Sequence, residues 1–123
     1  MVTISGIRFL PVQCLGGNLC GAAEGLDKRQ LLTVLAANGA ADTGLNVVPN
    51  TLSMNCFRFD ALLNEDREKY APVILDEIDR IYLDMLQQGA TTFWETEVAI
   101  NSPAGSLCHG WSALPIYYYE ILR

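Results

Sequence analysis

Pro72-Val73-Ile74-Leu75-Asp76-Glu77-Ile78-Asp79-Arg80-Ile81-Tyr82-Leu83-Asp84-Met85-Leu86 is the most strongly periodic stretch of the chain. Val73, Ile74, Ile78, Ile81, Tyr82, Met85 and Leu86 recur at steps of three and four, which lays them along one side of an α-helix. Pro72 suits the first turn, where its missing N–H is not needed. Asp76, Glu77, Asp79 and Asp84 take the other side and read as a solvated face. Asp76 and Arg80, four apart, would add only about 0.2 to 0.5 kcal/mol. Gly89 stops the helix by supplying a left-handed residue after its last turn.

What the helix delivers is Gly89-Ala90-Thr91-Thr92-Phe93-Trp94-Glu95-Thr96-Glu97. Glu95 follows two aromatic residues and is flanked by hydroxyls at Thr91, Thr92 and Thr96. An apolar wall raises a carboxyl pKa and nearby donors aim its lone pairs, the combination that general acid/base chemistry needs. A planar indole beside a carboxylate also suits a sugar, whose C–H face stacks while its hydroxyls hydrogen-bond. The plainer reading is packing by Phe93 and Trp94 with Glu95 in solvent, and both readings stand at this point.

Working outward, two more helices precede this one. Residues 19–37 read as helical, with Asp27 as a cap, Leu31, Leu32, Val34 and Leu35 on the buried side, and Asn38-Gly39 as the stop. Residues 40–50 form a loop by composition. Thr51 or Ser53 then caps a helix through Met54, Cys56, Phe57, Phe59, Leu62 and Leu63, with both phenylalanines in the core. Residues 64–69, rich in charge, read as a solvated turn. Downstream, Ser106-Leu107-Cys108-His109-Gly110-Trp111 leads into a last helix over residues 112–122, with Pro115 in its first turn and Leu114, Tyr118, Ile121 and Leu122 inward. Met1 to Asn18 is either one short strand or loose chain.

Composition narrows the function classes. At 123 residues the chain holds a single core, and half its residues are hydrophobic, with a mean hydropathy of +0.19. That richness points to a dense core or to apolar surface meant for a neighbour, through self-association or a partner chain. A net charge of −6 without any Lys/Arg cluster excludes nucleic acid and anionic membrane partners. No window is long and apolar enough to span a bilayer, and Arg8 interrupts the first apolar run, so no signal peptide is expected and the location is cytoplasmic. Cys14, Cys20, Cys56 and Cys108 are scattered, with His109 the single histidine. They read as reduced, mostly buried thiols, with no metal site and no cofactor.

Gly89-Ala90-Thr91-Thr92-Phe93-Trp94-Glu95, followed by Ser106-Leu107-Cys108-His109-Gly110-Trp111, resembles the end of the catalytic domain of bacterial α-L-rhamnosidases, glycoside hydrolase family 78. The resemblance covers residues 19–123 and leaves 1–18 as an atypical N-terminal segment. It implies an all-α fold of helical hairpins forming part of an (α/α)6 toroid, incomplete at this length. It also implies an inverting hydrolase that removes terminal α-L-rhamnosyl groups from a glycoside substrate. Glu95 falls on the family's general base, Trp94 on the pocket wall and His109 on a sugar contact, with Trp111 beside it. No stretch resembles the family's acid-bearing motif, and Asp60, Glu97 and Glu120 are the nearest carboxylates in sequence. Thr96-Glu97 and Cys108-His109-Gly110-Trp111 depart from the family's usual residues. A carbohydrate-binding or assembly module without catalysis is the alternative.

Overall fold

Helix-forming sequence dominates what is described of this chain, a computed structural model covering residues 8–9, 25–38, 47–48, 51–97 and 105–123. In order these are strand β1 (Arg8–Phe9), helix α1 (Gly25–Ala36), strand β2 (Val47–Val48), a 3-10 turn (Leu52–Met54), α2 (Asn55–Glu65), α3 (Arg67–Gln87), a second 3-10 turn (Gly110–Ser112) and α4 (Leu114–Leu122). The all-α expectation therefore holds for the bulk of the described chain. The one addition is a two-residue parallel pairing, Arg8 with Val47 and Phe9 with Val48. The rest of the 1–18 segment, its expected boundary at residue 19, and Cys14 and Cys20 lie outside the described residues.

The chain divides into two compact units, Met1–Asn50 with Met54–Tyr70, and Thr51–Ser53 with Ala71–Arg123. In the first, α1 packs against α2 and the buried apolar residues are Val34, Leu35, Phe59, Ala61, Leu62 and Tyr70. An arginine stands among them. Arg58 is fully buried, its Nη1 donating to the Leu35 carbonyl at 2.6 Å and its Nε to Asn55 Oδ1 at 3.0 Å, with the guanidinium 4.7 Å from the Phe59 ring centre. Lys28 and Glu65 close the outer edge at 2.7 Å.

Several expected caps move. Asp27 is the third residue of α1 rather than its cap. At the other end Asn38 takes φ of 47°, the left-handed conformation that the stop required. Thr51 and Ser53 face each other at 3.3 Å, and α2 begins after Met54 without a side-chain cap. Phe59 is buried as expected, but Phe57 is half-exposed. Two residues along a helix is a 200° turn, so the pair cannot share one face.

The start of α3 is corrected most. Residues 64–69 are helical apart from Asp66, an extended residue between α2 and α3. Its Oδ1 accepts the Lys69 N–H at 3.0 Å and its carbonyl accepts the Tyr70 N–H at 3.0 Å, the bonds of an N-cap. Pro72 thus lies inside the helix, not in its first turn. Its ring leaves the Glu68 carbonyl without a helical donor, which is tolerable because both residues are exposed to water.

In the second unit the apolar stripe narrows to Ile74, Ile78, Ile81 and Met85, spaced four, three and four. Val73 and Leu86, expected inside, are exposed, and Tyr82 is half-buried. Arg80 reaches Glu97 at 3.7 Å rather than Asp76. Gly89 ends α3 as expected, at φ of 87°, with Gly89 N–H bonded to Leu86 O and Ala90 N–H to Met85 O, both at 3.0 Å. These are the two bonds of a Schellman motif. A methyl group at Gly89 would meet open space, so Gly89→Ala carries only the backbone penalty. We expect a loss of about 1 kcal/mol, read as a lower urea midpoint at unchanged slope, with Gly89→Asn costing less. In α4, Pro115 stands in the first turn and Tyr118 is buried, both as expected, and Leu114, Ile121 and Leu122, expected inward, are half-buried.

Candidate functional site

The Schellman turn at Gly89 releases the chain into residues 90–97, and Trp94 anchors it there. The indole is 3% exposed and packs with Leu52, Ile81 and Met85. This corrects the pocket-wall expectation for Trp94: its faces are taken up by α3 and the 3-10 turn, so the residue fixes the loop. Phe93 packs edge-on against Tyr82, ring centres 5.9 Å apart and planes at 73°.

The two sequence motifs come together through main-chain bonds. His109 N–H donates to the Phe93 carbonyl at 2.7 Å, and Glu95 N–H donates to the Ser106 carbonyl at 2.9 Å. As one segment ascends from 93 to 95 the other descends from 109 to 106, so the segments run antiparallel with one extra residue on the second, as in a β-bulge. Thr92 Oγ1 donates to the Leu107 carbonyl beside them. Gly105 approaches Thr96 closely: a Cβ there would stand 3.0 Å from Thr96 Oγ1.

This pairing orients Glu95. Its Oε2 accepts the Ser106 N–H at 2.9 Å, and the residue is half-buried. The threonine hydroxyls expected to aim the carboxylate are replaced in that role by a backbone donor, and the Thr92 hydroxyl serves the partner segment instead. Ser106 was not singled out from sequence, since a backbone amide carries no residue-type signal. Its own hydroxyl bridges the Cys108 carbonyl at 3.1 Å and the Cys108 N–H at 3.2 Å.

Past the pairing, Ser112 N–H bonds the His109 carbonyl at 3.0 Å and closes the second 3-10 turn. The turn leaves His109 half-buried and Trp111 80% exposed, their rings edge to face at 6.2 Å. Tyr82 secures the turn, its hydroxyl donating to the Ser112 carbonyl at 2.5 Å. Burial, then the charges of Glu97 and Glu77, push the Tyr82 phenol well above its usual range, so it stays a donor. Sequence periodicity had counted Tyr82 simply as part of the apolar stripe. Ser112 Oγ is buried without a partner among the described residues.

Glu95, His109 and Trp111 are thus carried on one pair of bonded segments and the turn that continues them, while Trp94 stands behind. A cavity of about 280 Å³ in the same unit is walled by Tyr82, Met85, Leu86, Phe93, Thr92 and Pro115, and Glu95, His109 and Trp111 are not among its lining residues. Of the thiols, Cys56 is half-buried, with burial raising its pKa, and Cys108 is exposed, against the expectation of burial. Both are reduced. Among the described residues no group of three or more His, Cys, Asp or Glu is placed to hold a metal ion, and no helix is long and apolar enough to cross a membrane. No protein-family model, curated protein or solved structure matches the chain.

Proposed function

We propose that this chain is the base-bearing part of an inverting glycoside hydrolase that removes terminal α-L-rhamnosyl groups, with its helices forming part of an (α/α)6 toroid. The observation that carries the reading is the backbone pairing of residues 93–95 with 106–109, which gathers a fixed carboxylate, an imidazole and an exposed indole. With Oε2 held by the Ser106 amide, Glu95 has Oε1 to take a proton from water. The hydroxide character so generated attacks the anomeric carbon opposite the leaving group and inverts it. The leaving oxygen takes its proton from a second carboxylic acid, standing roughly 6.5 to 9.5 Å from the base. Glu97 lies in an exposed pair with Arg80 at 3.7 Å and lacks the apolar surroundings an acid needs, so the acid is sought elsewhere. His109 bonds sugar hydroxyls, and Trp111 offers its face to the C–H side of the ring.

The exposure of Trp111 favours a second reading, a carbohydrate-binding module without turnover. Leu83, Leu86, Ile116 and Tyr117 are each more than half exposed, which suits a covering chain or a second copy. Reduced cysteines at Cys56 and Cys108 suit the reducing cytoplasm.

One experiment separates the readings. L-Rhamnose is titrated against tryptophan fluorescence, and 4-nitrophenyl α-L-rhamnoside, whose leaving group needs little help from an acid, is tested for hydrolysis. We expect a saturable response that Trp111→Phe removes, and nitrophenol release with β-L-rhamnose as first product. A response without release leaves the binding module; neither response nor release overturns both readings.

A further inference from the structure

The first unit holds a larger cavity, about 550 Å³, which the glycosidase reading does not use. Its apolar side is made by Leu32, Ala36 and Ala37 from α1 and the residue after it, and its polar side by Arg29, Lys69 and Tyr70, with Thr33 between. In a chain with net charge −6, the described residues that line this space include two cations and no carboxylate.

The donors are available. Among the described residues the guanidinium of Arg29 and the ammonium of Lys69 make no ion pair, and Lys69 Nζ sits 4.8 Å from the Tyr70 ring centre. Tyr70 is 4% exposed, yet it lines the cavity and its hydroxyl has no partner among the described residues. The ring is buried while the hydroxyl is not one of the buried unpartnered atoms, so the phenol oxygen reaches the open side of the cavity and can donate to an acceptor there. Thr33 Oγ1 spends its proton on the Arg29 carbonyl at 2.9 Å, which leaves Arg29, Lys69 and Tyr70 as the donor set.

We propose that this cavity binds small organic carboxylates with a flat apolar body. The guanidinium fork of Arg29 matches the two oxygens of a carboxylate, Lys69 adds a second charge and the Tyr70 hydroxyl a directed bond. The methyl-bearing wall of Leu32, Ala36 and Ala37 faces the apolar body, which buries surface that a bare inorganic anion lacks. The volume accommodates one or two fused rings.

The test titrates the full chain, labelled with ¹⁵N, with 2-naphthoate, with neutral 2-naphthalenemethanol and with inorganic phosphate. Naphthoate is expected to give saturable shifts at the Thr33, Ala36 and Tyr70 amides. Arg29→Gln is expected to weaken it about tenfold, with smaller losses for Lys69→Gln and Tyr70→Phe. Arg29 and Lys69 are exposed and Tyr70→Phe keeps the ring, so all three variants retain the fold. Equal binding of the neutral alcohol overturns the anion half of the proposal, equal binding of phosphate overturns the apolar half, and no saturable shift with naphthoate overturns both.

Discussion

Glu95→Gln is expected to slow release of nitrophenol from 4-nitrophenyl α-L-rhamnoside by about 10²- to 10⁴-fold, the range a positioned general base contributes. The substitution keeps the length of the side chain and an oxygen for the Ser106 amide, so the segment pairing and the fluorescence response to L-rhamnose should persist. What it removes is the lone pair basic enough to take a proton from water. Glu95→Ala sharpens the test. Azide attacks without needing deprotonation, so with the shorter side chain it should restore release and yield β-L-rhamnosyl azide. A residue that merely supports the fold would show no such rescue. Near-normal release by Glu95→Gln would remove Glu95 from the chemistry.

The largest effect on stability is expected at Arg58. Arg58→Leu fills most of the volume but takes the donor from Asn55 Oδ1 and leaves the Leu35 carbonyl with only the longer 3.3 Å bond from the Asn38 N–H. A buried polar group left without its partner costs about 1 to 3 kcal/mol. With one acceptor losing its donor and the other left on its longer bond, a loss of about 2 kcal/mol is expected, read as a lower urea midpoint in circular dichroism of the whole chain. Arg58→Lys restores charge but not the fork that serves two acceptors at once, so it should recover only part of the loss. A midpoint unchanged in Arg58→Leu would show that the guanidinium is tolerated rather than required.

That arginine marks where sequence reading stops. Local chemistry is legible: Gly89 and Asn38 end their helices because left-handed backbone is a property of the residue itself. The stripe of Ile74, Ile78, Ile81 and Met85 is legible because period and burial coincide. Arg58 depends on a carbonyl 23 residues away, and no periodic pattern announces it. The start of α3 was obscured by two signals pulling apart. Pro72 looks like a first-turn residue, while the cap that sets the start, Asp66, sits inside a charged run that reads as a turn. Glu95, His109 and Trp111 were legible as motif residues, but the device that unites them was not, since it consists of main-chain bonds. Trp94 shows the converse: an aromatic next to a motif carboxylate is equally compatible with wall and core, and only packing against Leu52, Ile81 and Met85 decides it.

At the proposed site the bulged pairing also bears on ligand occupancy. Glu95 donates its main-chain N–H to the Ser106 carbonyl and accepts the Ser106 N–H on its carboxylate, while His109 hangs from Phe93 in the same register. On the glycosidase reading, parting the segments would lose these bonds together and with them the placement of Glu95 relative to His109. A ligand that needs Glu95 and His109 together binds with its intrinsic affinity scaled by the fraction of molecules whose segments are closed. Apparent affinity then becomes a readout of loop equilibrium. A change at Gly105 or Thr92, neither of which need touch a ligand, alters occupancy by shifting that fraction alone.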